Sequence, residues 1–364
     1  MTSRSFLSYA GIAAVAVLAA ALGAPVAAQD LSAGEKLYAE LAKLPAKERQ
    51  ARLVAGAKKE GRLEMIHSLR RKLGRDHIKG FTKMYPFIEV KNSDMGSQDA
   101  AERLVAEETA GRHLTDLVSI GVPDATILIE QNRIARYPTP AVKNVLARYK
   151  GFVDPENRWV PYYWSEYGIS HNTKLLKLAD APKTWFDLCK PQYKGQFSFD
   201  PPTTRFLVGL YVMMGEQKMK EWVECIGKND PIVQRGHTAR LKLMLRGDHA
   251  IQGGNYFYRG SQMAKKNPKV PFRAVYSAGV LGYAGAIVIN KNAPHPHAAA
   301  LFADYTLTET SQKVLYKVWR GTVAMKHAFF PDDAKLVTYN TIDSKTINRL
   351  HGLWSSNVGR KAKK

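Results

Sequence analysis

Short apolar runs separated by helical stretches recur along this chain, and that alternation constrains its fold more than any other feature. Residues 63–66 (Leu-Glu-Met-Ile) read as a strand followed by a helical stretch to Met84. A second strand falls at 87–90, a helix at 100–110, a third strand at 116–120 and a helix at 124–131. The middle repeats the rhythm, with strands at 167–170, 196–199 and 249–253 and helices at 206–214, 218–226 and 239–245. The last third adds a strand at 285–290 and helices at 296–307 and from Ser311. Ser32 with Glu35 three residues on predicts a capping box at a first helix. Pro45 opens a second, closed by Gly61, and Thr184 with Asp187 starts another. Strands that alternate with helices predict an α/β fold, a parallel sheet with helices on its faces. In such sheets ligands sit beyond the carboxyl ends of the strands, where loops lead into helix N-termini.

The N-terminus reads differently. Arg4 is followed by an apolar run over 10–21 (AGIAAVAVLAAA) and then by Ala24-Pro25-Val26-Ala27-Ala28. A basic start, a short apolar stretch and small residues at the two positions a signal peptidase reads predict a cleavable signal peptide over 1–28. The run is too short for a membrane span, which takes about 20 strongly apolar residues. An exported, periplasmic protein of roughly two domains follows. The formal charge is +22, yet its lysines and arginines are dispersed. Export and the lack of any base-reading motif argue against a nucleic-acid partner. Cys189 and Cys225 are the chain's two cysteines. An oxidising compartment permits a disulfide between them, and two buried thiols are the alternative.

Several segments, taken in order, resemble the periplasmic solute-binding proteins of ABC importers, in the ferric-iron-type branch. They are Ala55-Gly56-Ala57-Lys58-Lys59-Glu60-Gly61, Phe81-Thr82-Lys83-Met84-Tyr85-Pro86, Tyr167-Gly168-Ile169-Ser170-His171-Asn172-Thr173-Lys174, Ala181-Pro182-Lys183-Thr184-Trp185-Phe186-Asp187-Leu188, Tyr193-Lys194-Gly195 and Lys291-Asn292-Ala293-Pro294-His295-Pro296. Phe302, Asp304, Gln312 and Arg320-Gly321 continue the series. The resemblance implies a two-lobed periplasmic binding protein fold of type II, with two crossing hinge strands and solute clamped between the lobes. Lobe one is expected over 29–161 plus 276–364 and lobe two over 162–275. It also implies a membrane permease and a cytoplasmic ATPase as partners, with a monomeric binder and no resident cofactor.

Five loops are expected at the cleft: His67 and Ser68, Ser97 and Gln98, Ser119 with Gly121, Thr203-Thr204-Arg205, and the run Gly253 to Arg259 containing Asn255, Tyr256 and Tyr258. Small polar residues at helix N-termini present N–H groups and hydroxyls to negative charge, and Arg205 adds a fork for a carboxylate or phosphonate. The bland reading is that each hydroxyl caps its own helix. An organic anion is the expected solute. The alternative is ferric ion held by the phenols of Tyr256 and Tyr258, since a hard trivalent cation selects such oxygens. Iron-binding members of the family carry two adjacent tyrosines near this place, whereas here Phe257 separates the two. On an extended strand Tyr256 and Tyr258 would still share a face. An exported hydrolase is the lower alternative. Neither a Gly-x-Ser-x-Gly elbow nor a His-Glu-x-x-His helix occurs, and the pair Asp332-Asp333 follows Phe329-Phe330-Pro331 in an expected surface loop.

Overall fold

The computed structural model describes residues 31–69, 71–326 and 330–358. The expected signal peptide over 1–28 lies outside them. Two helices open the chain, α1 (Ala33–Leu41) and α2 (Ala46–Glu60), the first with the expected Ser32–Glu35 capping box. Then β1 (Arg62–His67), α3 (Lys72–Met84), β2 (Glu89–Asp94), α4 (Ser97–Thr109), β3 (Leu117–Gly121) and α5 (Thr126–Glu130) alternate. The long strand β4 (Val160–Asn172) follows, then β5 (Phe197–Phe199), α6 (Thr204–Met214), α7 (Glu216–Lys228), β6 (Ile232–Val233), α8 (His237–Arg246), β7 (Ile251–Asn255) and α9 (Phe257–Lys266). The chain ends with β8 (Phe272–Val275), β9 (Val280–Ile289), α10 (Pro296–Thr306), α11 (Glu309–Lys317), β10 (Gly321–Thr322), β11 (Leu336–Tyr339) and α12 (Ser344–Asn357).

The strands run in the order β2-β1-β3-β9-β4-β7-β5-β6. Pairs β1–β2, β1–β3, β5–β6 and β5–β7 are parallel, as the alternation predicts, while β9 and β4 run against their neighbours along this path. β4 divides the sheet. Its residues up to Tyr167 pair with β9, and from Gly168 onward it pairs with β7 and β8, with an irregularity between Gly168 and Ser170. Glycine is needed at that changeover: a Cβ on Gly168 would lie 2.0 Å from Cζ of Phe257. One apolar core lies under the β1–β3 half and another under the β5–β7 half, where Trp185, Trp222 and Trp354 are fully buried.

Three elements depart from the expected pattern. β2 starts at Glu89 because Pro86 and Phe87 form the turn after α3. The polar run that follows is stable as a strand since it is an edge paired only with β1. The segment expected to be extended past Asn255 turns into α9 at Phe257, so Tyr256 and Tyr258 stand on a helix N-terminus and not on a strand. The last helix, expected with residues 276–364 in lobe one, packs on α6 and α7, and its Leu350 and Trp354 join the second core.

Cys189 closes a short 3-10 turn (Trp185–Cys189) and Cys225 lies on α7; the two form a disulfide with a Cα separation of 5.5 Å, inside the usual range. Thiol titration of unreduced, denatured protein should therefore find no free thiol, and two would refute the pairing.

Candidate functional site

A cavity of about 760 Å³ opens between the two halves. The first half contributes Ser68, Leu69, Arg71 and Leu73 from the β1–α3 connection, and Val318 and Arg320 from the turn before β10. The second half contributes residues 236–239 at the start of α8 and Tyr256, Tyr258, Arg259 and Gln262 at the start of α9. No carboxylate is among these described lining residues.

Local backbone geometry sets this wall. Arg71 (φ 64) and Trp319 (φ 63) hold left-handed conformations that bulky residues rarely adopt. Such strain persists only where the surroundings enforce it, and it collects at functional sites. Here it stands at the two places where the chain delivers Arg71 and Arg320 to the cavity. The helices α3 and α8 both begin without a side-chain cap; the N–H of Arg71 goes to Asp94 (3.0 Å) and that of Gly236 to Asp200 (3.0 Å). Leu73 of α3 and His237, Thr238 and Ala239 of α8 line the cavity at these helix starts, and a helix N-terminus favours negative charge.

Arg320 is the central cation. Its guanidinium lies 5.0 Å from the Tyr258 ring, 5.5 Å from Tyr163 and 6.0 Å from Tyr256, and donates to Oγ of Ser165 at 2.7 Å. Tyr256 and Tyr258 stack obliquely, 6.1 Å apart, because the Phe257 side chain between them turns into the core beside Gly168 and Tyr276. Oε1 of Glu166, a buried carboxylate on β4, accepts the N–H groups of Phe257 (2.8 Å) and Tyr258 (3.1 Å) and so caps α9. The Tyr256 hydroxyl is bonded to those of Tyr167 (3.0 Å) and Tyr283 (3.1 Å), and burial pushes its phenol well above the usual value. The His237 ring packs tilted against that of Tyr256, their centroids 4.2 Å apart. Burial, and then the nearby Arg240, Arg205 and Arg320, pull its imidazole down to about 3, so it is neutral near pH 7.

Of the residues expected at the cleft, the structure brings Ser68, Tyr256 and Tyr258 together. Ser119 stands just behind, bonded to Tyr162 (2.7 Å) and 3.4 Å from Oγ of Ser68. His67 is fully buried against His77 (3.2 Å) and the Leu69 N–H (3.1 Å), and Asn255 is buried 3.4 Å from Ser170, so neither reaches the cavity. Thr203 caps α6 through the Phe206 N–H (3.3 Å), the bland role. Gln98 and Thr204 border a separate cavity of about 360 Å³, with Asp124 and His351. Arg205 does not offer a free fork: its Nε lies 3.5 Å from Asp124, and Ser97 accepts from its guanidinium at 3.4 Å. Arg259, at the end of the expected Gly253 to Arg259 loop, also lines the cavity. Arg71, His237 and Arg320 line it too and were not among the expected cleft residues; the one available signal was Arg320-Gly321 within the family series. Among the described residues no group of three or more His, Cys, Asp or Glu is placed to hold a metal ion.

Comparison with known proteins agrees with this architecture. The family model for bacterial extracellular solute-binding proteins matches residues 121–348. An uncharacterized protein of Haemophilus influenzae is 24% identical over 229 residues, which are 58% of this chain and 65% of that protein, so the chain spans less than two thirds of its curated relative. The iron-bound HitA of Pseudomonas aeruginosa superposes with a TM-score of 0.68 at 17% identity, covering 81% of this chain and 98% of that one. AfuA of Actinobacillus pleuropneumoniae, with fructose-6-phosphate bound, gives 0.68 at 20% identity over 82% and 99%. At these identities the likeness carries the fold, that of the type II periplasmic binding proteins. No helix among the described residues is long and apolar enough to cross a membrane. The chain belongs to the bacterial extracellular solute-binding protein family.

Proposed function

We propose that this protein is the periplasmic solute-binding component of an ABC importer, that its signal peptide is cut near Ala28, and that it carries a small organic anion to a membrane permease driven by an ATPase. It works as a monomer of two lobes hinged at β4 and at the β8–β9 connection, with α12 counted in the second lobe. The observation that carries the anion is the cavity's charge. Arg71, Arg259 and Arg320 line it, no described carboxylate does, and the N-terminal turns of α3 and α8 border it. Guanidinium forks and helix N-termini are the groups that recognise carboxylate and phosphoryl oxygens.

Tyr256 and Tyr258 both border the cavity, which favours a second reading in which ferric ion enters together with an anion. That reading must deprotonate Tyr256 against the burial that keeps it a phenol, so the anion comes first. A thermal-unfolding screen of citrate, phosphate, sugar phosphates, dicarboxylates, polyamines and ferric salts tests the choice. An anion at 100 times its dissociation constant should add about 2.7 kcal/mol. A response to polyamines, or to iron without any anion, would overturn it.

A further inference from the structure

We propose that Arg205 and Asp124 form a latch that holds the two halves of the fold together in the absence of solute, leaving solute recognition to the cavity around Arg320. Arg205 is the second residue of α6, in the second half. Asp124 lies on the 3-10 turn Val122–Ala125 that follows β3, in the first. Their side chains, 22% and 6% exposed, meet at 3.5 Å. The guanidinium is fixed on both sides: Ser97 at the head of α4 accepts from it at 3.4 Å, and the Tyr283 ring of β9 lies 5.4 Å away. Space for the crossing is built into β3. A Cβ on Gly121 would stand 2.8 Å from Cδ of Arg205, so a side chain there would push the arginine out of the seam.

Oδ2 of Asp124 has no hydrogen-bond partner in the structure. The Arg205 cation is what compensates this nearly buried oxygen, so with either charge removed the closed seam would hold the other buried and uncompensated. The pair does not stand alone. Oγ1 of Thr126 donates to the carbonyl of Ile342 at 3.1 Å, and the N–H and hydroxyl of Ser344 reach Glu130 at 2.8 and 2.6 Å. Ile342 and Ser344 lead into and begin α12, which packs on α6 and α7, so these bonds also join first half to second. The ion pair sits behind that rim. An arginine committed to a carboxylate of its own chain is a poor receptor for a solute anion. It is well placed to set the resting population of the closed form, and apparent affinity scales with that population.

Spin labels at Lys83→Cys on α3 and Lys242→Cys on α8, both exposed positions, read the separation of the halves while the native cysteines stay in their disulfide. With no solute present, the otherwise unaltered protein should give one narrow distance distribution. Asp124→Asn, which keeps the shape and removes the charge, should add a longer population. Gly121→Val, which displaces Arg205 without touching either charge, should do the same. Circular dichroism melting checks that each variant is folded. A distribution that is already broad with both charges in place, or a folded Asp124→Asn indistinguishable from its parent, overturns the latch. Because the measurement is made without solute, it stands apart from the identity of the ligand.

Discussion

Arg320→Ala should weaken binding of the anionic solute by roughly two to four powers of ten. The guanidinium is held among three tyrosine rings and hydrogen-bonded to neutral Ser165, so it is shielded from water on its faces. An anion brought to it in a closed cavity is shielded as well. Truncating one member of such a pair leaves the other charge unpaired, which costs about 3–5 kcal/mol. Arg71 and Arg259 face the same cavity but are exposed. Each should lose only about 0.2–1 kcal/mol on change to alanine, and that loss should shrink as salt is raised. Arg320→Lys should recover little, because an ammonium neither stacks on Tyr258 nor presents a planar fork. Isothermal titration with the anion found by unfolding screens reads all four variants. Equal losses at Arg71, Arg259 and Arg320 would mean that the cavity acts as a diffuse positive surface and that Arg320 is not its centre.

The division of labour between these arginines marks where the sequence was readable. Alternating strand and helix periods exposed the strands of the parallel pairs β1–β2, β1–β3 and β5–β7 because each rests on local patterning, whereas β6, two residues long, carries no pattern to read. The Ser32 and Thr184 caps were legible for the same reason, each being a hydrogen bond within three residues. The position of α12 was not, since Trp354 is apolar wherever it packs and only the folded chain brings it to Phe199 and Trp222. The site suffered most. Arg320 is one of 54 lysines and arginines, and nothing local distinguishes a cation enclosed by tyrosines from one on the surface. Arg205 looked like a receptor because a helix N-terminus with an arginine is one. Asp124, 81 positions earlier by residue number, spends it. The Tyr256-Phe257-Tyr258 run was read with the right face for the wrong reason. Its two tyrosines share the cavity because Phe257 is drawn into the core at Gly168, not because a strand alternates.

Glu166→Gln should remove a pH dependence of stability that the parent protein shows between about pH 4.5 and 7. Glu166 is 1% exposed on the strand that joins the two halves. Burial pushes its carboxyl from 4.5 up to about 7, against the pull of the Phe257 and Tyr258 N–H groups and of Arg320. Tyr276 and Tyr149 are the other titratable groups within electrostatic reach, and burial holds both phenols up and therefore neutral through this range. A raised carboxyl binds its proton more tightly folded than unfolded. As pH climbs from 4.5 toward 7 the unfolded chain gives up the proton first, so this group lowers stability across that window and then stays level. The shift corresponds to a loss on the order of 3 kcal/mol. Buried neutral histidines act in the opposite sense. His67, which burial lowers to about 4, contributes stability that is full above 6.5 and lost as pH falls toward 4. The parent curve alone therefore mixes the two. The difference between parent and Glu166→Gln, from urea unfolding at matched pH values, isolates the carboxyl: the variant should gain on the parent by a few kcal/mol between pH 4.5 and 7.5. Glutamine keeps an oxygen for the α9 N–H groups, so the helix should remain capped in the variant. A difference curve flat across that range would mean that Glu166 ionises as freely in the folded protein as in water, and that the cap on α9 carries a charge at no cost.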